Sequence, residues 1–158
     1  MKVIKLNFFV RTNNWSRRLK RAKLTANKVL KQKLELRFNS NIDYYLNIIL
    51  MNDKEMKKLN YKYKKINKTT DILTFVSKYK NYKNDIIKYC DIFISAEMIK
   101  QYSKKNNIDF YDHFTHLLIH SFLHINGYLH KKINDYKNMQ KAEIKILNKI
   151  GLKNPYLY

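Results

Sequence analysis

A single cysteine, Cys90, allows no internal disulfide and rules out a cysteine-rich zinc site. That usage suits a reducing cytosol. No apolar run approaches the roughly 18 residues that a membrane span needs. The first ten residues alternate charged and apolar side chains, with neither the apolar core nor the small-residue cleavage site of a signal peptide. The expectation is a soluble, cytoplasmic protein with no membrane partner. Glycine (2) and proline (1) are almost absent, no composition shift marks a linker, and no segment repeats. A single domain over residues 1–158 follows from the length. A chain of this size buries roughly two thirds of its unfolded surface and needs no covalent staple.

Acidic residues are the other scarcity: 12 against 33 basic ones, a formal charge of +21. Such an excess favours nucleic acid, because Lys and Arg neutralise phosphates and release counterions. The abundance of Lys, Asn, Ile and Tyr is also what AT-rich codons produce, so lysine alone is a weak witness. Arginine is a better one. Arg11, Arg17, Arg18 and Arg21 fall within eleven residues. Trp15, Leu19, Ala22, Ala26, Val29 and Leu30 run through and beyond them at helical spacing. Two readings stand: an amphipathic helix with a solvated basic back, or the same helix meeting RNA phosphates.

The element order reads as a strand over 2–10, a helix over 14–34 and a strand over 43–51. Asn52 then caps a helix through about Tyr63, with Glu55 at capping-box spacing. A polar stretch from Lys64 to Thr70 leads into a strand at 72–76, followed by a strand at 86–94 and a short helix capped by Ser95. Phe110, Phe114, Leu117, Leu118, Phe122 and Ile125 space a helix over 109–125 that Gly127 ends. A last helix covers 134–150, up to Gly151. The mixture gives an α+β class with a small mixed β-sheet packed with helices.

All five histidines, His113, His116, His120, His124 and His130, lie within eighteen residues. Imidazole is the commonest metal-ligating side chain, and two of them four apart share one helix face. His116, His120 and His124 form a stripe whose ends lie roughly 12 Å apart. No single zinc with bonds of about 2 Å reaches both ends. His124 precedes the Gly127 turn and His130 follows it, so the set is His120, His124 and His130. His113 reads as a satisfied core histidine. Nitrogen donors favour zinc over magnesium or calcium, and three ligands leave a position open, as in catalytic zinc sites. A His-Glu-x-x-His protease would carry its base after the first ligand, where this chain has Ser121. Phosphodiester hydrolysis therefore stays open while peptide hydrolysis becomes less favoured.

The run from His120 to His130, HSFLHINGYLH, resembles the YbeY family signature His-Gly-x-Leu-His-Leu-x-Gly-Tyr-Asp-His. It departs at Ser121 for Gly and at Leu129 for Asp. Thr70 to Phe75 is similar to the family's Thr-Asp-Val-Leu-Ser-Phe, preceded by Leu59-Asn60 at the family spacing. Asp91-Ile92 with Ile94 and Ser95 resembles its Gly-Asp-Ile segment, and Met139, Glu143 and Leu147 fit its Met-x-x-x-Glu-x-x-x-Leu tail. The resemblance covers roughly residues 44–151.

It implies a zincin-like α+β fold, one Zn2+ per chain, and single-strand endoribonuclease activity. The implied role is small-subunit ribosomal RNA 3′-end maturation and ribosome biogenesis, with RNA and the small ribosomal subunit as partners and no DNA. Lys64 stands where the family has an arginine and is the candidate phosphate-stabilising residue, a point charge in place of a bidentate fork. His116 matches a family histidine that is not a ligand and reads as pocket lining. Asp71 reads equally as catalytic or as loop-fixing. Without a carboxylate at Leu129, a ligand imidazole needs another group at its second nitrogen. The competing function is a non-catalytic RNA-binding assembly factor with a structural or vestigial zinc site.

Overall fold

Alternating apolar residues build four strands: β1 (Ile4–Val10), β2 (Ile42–Met51), β3 (Ile72–Lys80) and β4 (Ile86–Ser95). The computed structural model describes residues 2–157, so Met1 and Tyr158, the ends of the expected domain, lie outside the described residues. The strands form one sheet in the order β1-β2-β4-β3. The first three run parallel and β3 returns antiparallel on β4, which leaves β3 at an edge.

Five helices complete the fold: α1 (Leu19–Leu30), α2 (Asp53–Lys64), α3 (Ala96–Asn106), α4 (Phe110–Ile125) and α5 (Ile133–Lys149). One sheet face carries Leu46, Ile48, Leu50, Cys90, Ile92 and Ile94. These pack in the main core with α1, through Ala22, Ala26 and Val29, and with α4, through Phe114, Leu118 and Phe122. The other face carries a smaller cluster of Ile49, Met51 and Leu73 around Met56 of α2. α4 is the most buried helix because apolar side chains surround its axis except along the histidine line. The expected α+β class with a mixed sheet is what the chain adopts. Among the described residues, no helix is long and apolar enough to cross a membrane.

Three expectations need correction. The helix expected over 14–34 is instead a 3-10 turn (Asn13–Trp15) followed by the shorter α1. Trp15 causes the break: its buried ring packs on Phe110 and Phe114, and its indole N–H donates to the Met51 carbonyl at 3.0 Å. That anchor fixes the chain before the helix axis begins, and Arg18 at the N-cap supplies no capping oxygen. β3 continues to Lys80, past the expected end at Val76, because Ser77–Lys80 pairs with Tyr89–Ile86 in a solvent-facing hairpin that needs no apolar pattern. The helix capped by Ser95 has eleven residues. Both expected caps form, with Asn52 accepting from the Glu55 N–H and Ser95 from the Met98 N–H.

Candidate metal centre

α4 carries His120 and His124 one turn apart on one face. Past its end, Gly127 takes φ +97°, a conformation that side chains resist, and the Tyr128 N–H closes back on the Leu123 carbonyl at 3.0 Å. This turn returns His130 toward the helix. One ligand nitrogen from each of His120, His124 and His130 falls within 4.8 Å of the others. The His120 and His124 Nε2 atoms are 3.0 Å apart. Those two rings are half-buried and His130 is exposed, so the cluster opens to solvent.

The other ring nitrogens decide the protonation pattern. His124 Nδ1 lies 2.8 Å from the Tyr128 carbonyl, which can only accept, so Nδ1 carries the proton. His120 Nδ1 lies 2.6 Å from Oε1 of Glu143 and donates in the same way. In its neutral form each imidazole therefore turns its Nε2 lone pair toward the same point, where a cation between the two would be favourable. Burial, then the neighbouring His120, lowers the His124 pKa and keeps its lone pair free near neutral pH. The donor set, the separations and the fixed tautomers fit a metal ion.

Glu143 is the functional residue that sequence reasoning passed over as a motif match alone. It is fully buried on α5, yet burial does not protonate it. Burial raises its pKa, but hydrogen bonds from His116, His120 and Tyr156 prevail and hold it at about 2. A buried carboxylate facing His120, nearly three turns into α4, is the support that Leu129 was expected to lack. Leu129 itself is half exposed. His116, read as pocket lining, turns Nε2 to Oε2 of Glu143 at 3.0 Å rather than toward the three-histidine cluster. Ser121 is buried and its hydroxyl meets that of Thr74 on β3 at 2.7 Å, so this departure from the signature ties α4 to the edge strand.

The remaining candidates occupy other positions. Lys64 is the exposed last residue of α2, and Lys65 after it takes the left-handed conformation that ends the helix. The loop that follows is held by buried Asn60, whose Nδ2 donates to the Lys68 carbonyl at 2.8 Å. Asp71 accepts the Ser95 N–H on its carbonyl and sets its carboxylate 3.3 Å from His113 Nε2. Burial opposes its charge, but His113 and two backbone N–H groups hold the Asp71 carboxyl below its ordinary range. His113 is buried and stacked on Tyr102, in the core as expected, but it is not satisfied there: neither ring nitrogen makes a hydrogen bond. Of the clustered arginines, Arg18 lies over Phe110, Arg21 over Tyr111 and beside Asp109, and Arg11 beside Glu55.

Comparison with known proteins gives a consistent result. Residues 9–151 match the family model described as Endoribonuclease YbeY. A protein of that name from Ehrlichia chaffeensis is 34% identical, aligned over 98% of this chain and 97% of its own length. Another from Ehrlichia canis is 40% identical over 71% of each chain. The solution structure of a Thermotoga maritima protein superposes with a TM-score of 0.54 at 19% identity, covering 92% of this chain and 91% of that one, a likeness of fold.

Proposed function

Because the chain belongs to the YbeY endoribonuclease family, we propose that it is a zinc-dependent endoribonuclease that cleaves single-stranded RNA in the cytoplasm. Its substrate on this reading is small-subunit ribosomal RNA, at 3′-end maturation. His120, His124 and His130 would hold the ion. The observation that carries the reading is the pair of Nε2 atoms 3.0 Å apart, each turned toward the other while the opposite ring nitrogen is held as a donor. When bound, zinc supplies Lewis acidity that activates water near neutral pH and polarises a phosphoryl oxygen.

The chain's own groups supply the rest. Glu143 and the Tyr128 carbonyl orient two imidazoles before substrate arrives, so little reorganisation accompanies the reaction. The exposed His130 and Leu129 leave the mouth of the site open to a strand of RNA. The excess of 33 basic over 12 acidic residues draws that strand in. Lys64, exposed at the end of α2, is the proposed cation for the charge that builds on the non-bridging oxygens.

The test is single-turnover cleavage of generic single-stranded RNA and of small-subunit ribosomal RNA fragments by zinc-replete and chelated protein. Cleavage should require zinc. Lys64→Ala should keep its zinc and lose about a hundred- to thousandfold in rate, the usual loss for one donor to a developing charge. Equal rates for wild type and Lys64→Ala would remove Lys64 from the site. Zinc uptake and RNA binding without cleavage of either RNA would put the assembly-factor function in its place.

A further inference from the structure

We propose that Tyr156 is a positioning residue for the metal centre: through Glu143 it fixes His120, so the C-terminal turn sets how tightly the three-histidine site holds its ion. The inference rests on the metal reading above and extends it to residues beyond the 9–151 family match.

The turn is built to deliver this side chain. Gly151 (φ +82°) ends α5, and the Leu152 N–H returns to the Leu147 carbonyl at 2.9 Å. Leu152 packs on the main core. Asn154 Oδ1 then accepts the Tyr156 N–H at 2.9 Å, and Pro155, with its restricted φ, opens a single 3-10 turn through Leu157. The chain is thereby folded back over the flank of α4, and the Tyr156 ring meets His116 edge-on at 5.6 Å.

At that place the Tyr156 hydroxyl donates to Oε2 of Glu143. The same oxygen faces His116 Nε2 at 3.0 Å, while Oε1 is left to His120 Nδ1 at 2.6 Å. Three donors on one buried carboxylate settle its rotamer. Burial and the adjacent Glu143 push the phenol above its ordinary pKa, so it remains a donor throughout the working range. Without the hydroxyl, Oε2 keeps His116 alone, and a buried carboxylate short of donors rotates to find another. That rotation weakens the bond to His120 Nδ1, and with it the orientation of the nitrogen offered to the metal.

The experiment compares wild type, Tyr156→Phe, Glu143→Gln and the double variant. Zinc affinity is read by chelator competition, and ligand geometry by the visible spectrum of the cobalt-substituted protein. Tyr156→Phe keeps the ring and removes only the hydroxyl. It should weaken zinc about 3- to 10-fold and shift the cobalt bands, less than the roughly 10- to 100-fold expected for Glu143→Gln, which touches a ligand directly. In the Glu143→Gln background, Tyr156→Phe should add nothing, since both act through one carboxylate. Unchanged affinity and spectrum in Tyr156→Phe, or full additivity in the double variant, would overturn the proposal while leaving the metal site standing. A wild type that takes up no zinc or cobalt would overturn the metal reading and this inference with it. Should Tyr156→Phe fail to fold, Asn154→Ala, which releases the turn, carries the same expectation and the same refutation.

Discussion

On the first half of α4, His113 stacks on Tyr102 with ring centroids 3.9 Å apart, faces Asp71 and is closed from solvent. On the second half, His120 and His124 turn their Nε2 atoms toward one point and stay open to water. The residue type, the helix and the spacing along it are shared, so none of these separates a core histidine from a ligand. The distinction lies in what holds the far nitrogen and whether the near one has an exit. A carbonyl and a buried carboxylate hold the far nitrogens of His124 and His120. His113 has an aromatic ring against its face and a carboxylate 3.3 Å from its Nε2, while its Nδ1 is buried without a hydrogen-bond partner and has no exit to solvent.

The strongest way to break this comparison is to delete one histidine from each half. His124→Ala should lose nearly all bound zinc, a larger effect than the roughly 10- to 100-fold produced by altering a residue behind a ligand. Its metal-free melt should change little, because the side chain is half exposed. His113→Ala should do the reverse, with stoichiometric zinc and a fold destabilised by about 2–3 kcal/mol, the upper part of the common range for a buried site. Elemental analysis and thermal denaturation of the two variants decide it. Full zinc in His124→Ala would dissolve the distinction.

A smaller effect sharpens the structural half. The Asp71 carboxyl is held below its ordinary 3.8 by His113 and backbone donors, against the opposing effect of burial. A depressed pKa means that the unfolded chain binds the proton first. The stabilisation is therefore complete above about 3.8 and is lost as the pH falls through the lower, folded value. In metal-free protein, the urea midpoint of Asp71→Asn should fall less steeply with acid than that of wild type, and the two should converge at the acid end. Parallel curves would show that the His113–Asp71 approach contributes nothing that depends on charge.

Which histidines can share one ion was legible from residue spacing, and the groups behind them were not, for identifiable reasons. Helical pitch alone separates His116 from His124 and recruits His130 across the Gly127 turn, since these are local constraints on a short segment. Glu143 was out of reach because it lies 23 residues from His120, and their pairing depends on how α5 packs on α4. The same holds for Ser121, whose partner Thr74 is 47 residues away on an edge strand. Trp15 misled in the opposite direction. Its apolar spacing fits the α1 face, but a bond to Met51 on β2 takes it out of the helix. Local periodicity cannot report a long-range anchor, and sites assembled across elements are made of such anchors.

The smallest expected effect concerns the arginines, which lie on the structural side of the comparison. Arg18 and Arg21 sit over Phe110 and Tyr111 at 4.8 and 4.0 Å, at the start of α4. That is about 15 Å along the helix from His120 at 1.5 Å per residue. Their planar faces are engaged by aromatic rings, and Arg21 also lies 3.7 Å from Asp109. Each contact is worth about 0.5–1 kcal/mol to the fold at an exposed site. Arg17, immediately before Arg18 in the chain, is exposed and free to meet phosphate. Replacing Arg18 and Arg21 with Gln should therefore lower the melting temperature and leave the salt dependence of RNA binding nearly unchanged. Arg17→Gln should leave the melt alone and flatten the slope of log affinity against log salt by about 0.7, one single-strand phosphate contact. Binding titrations of the two variants across a salt series make the measurement. An unchanged slope in Arg17→Gln would mean that this face is solvated, and that RNA approaches the histidine cluster from another side of the molecule.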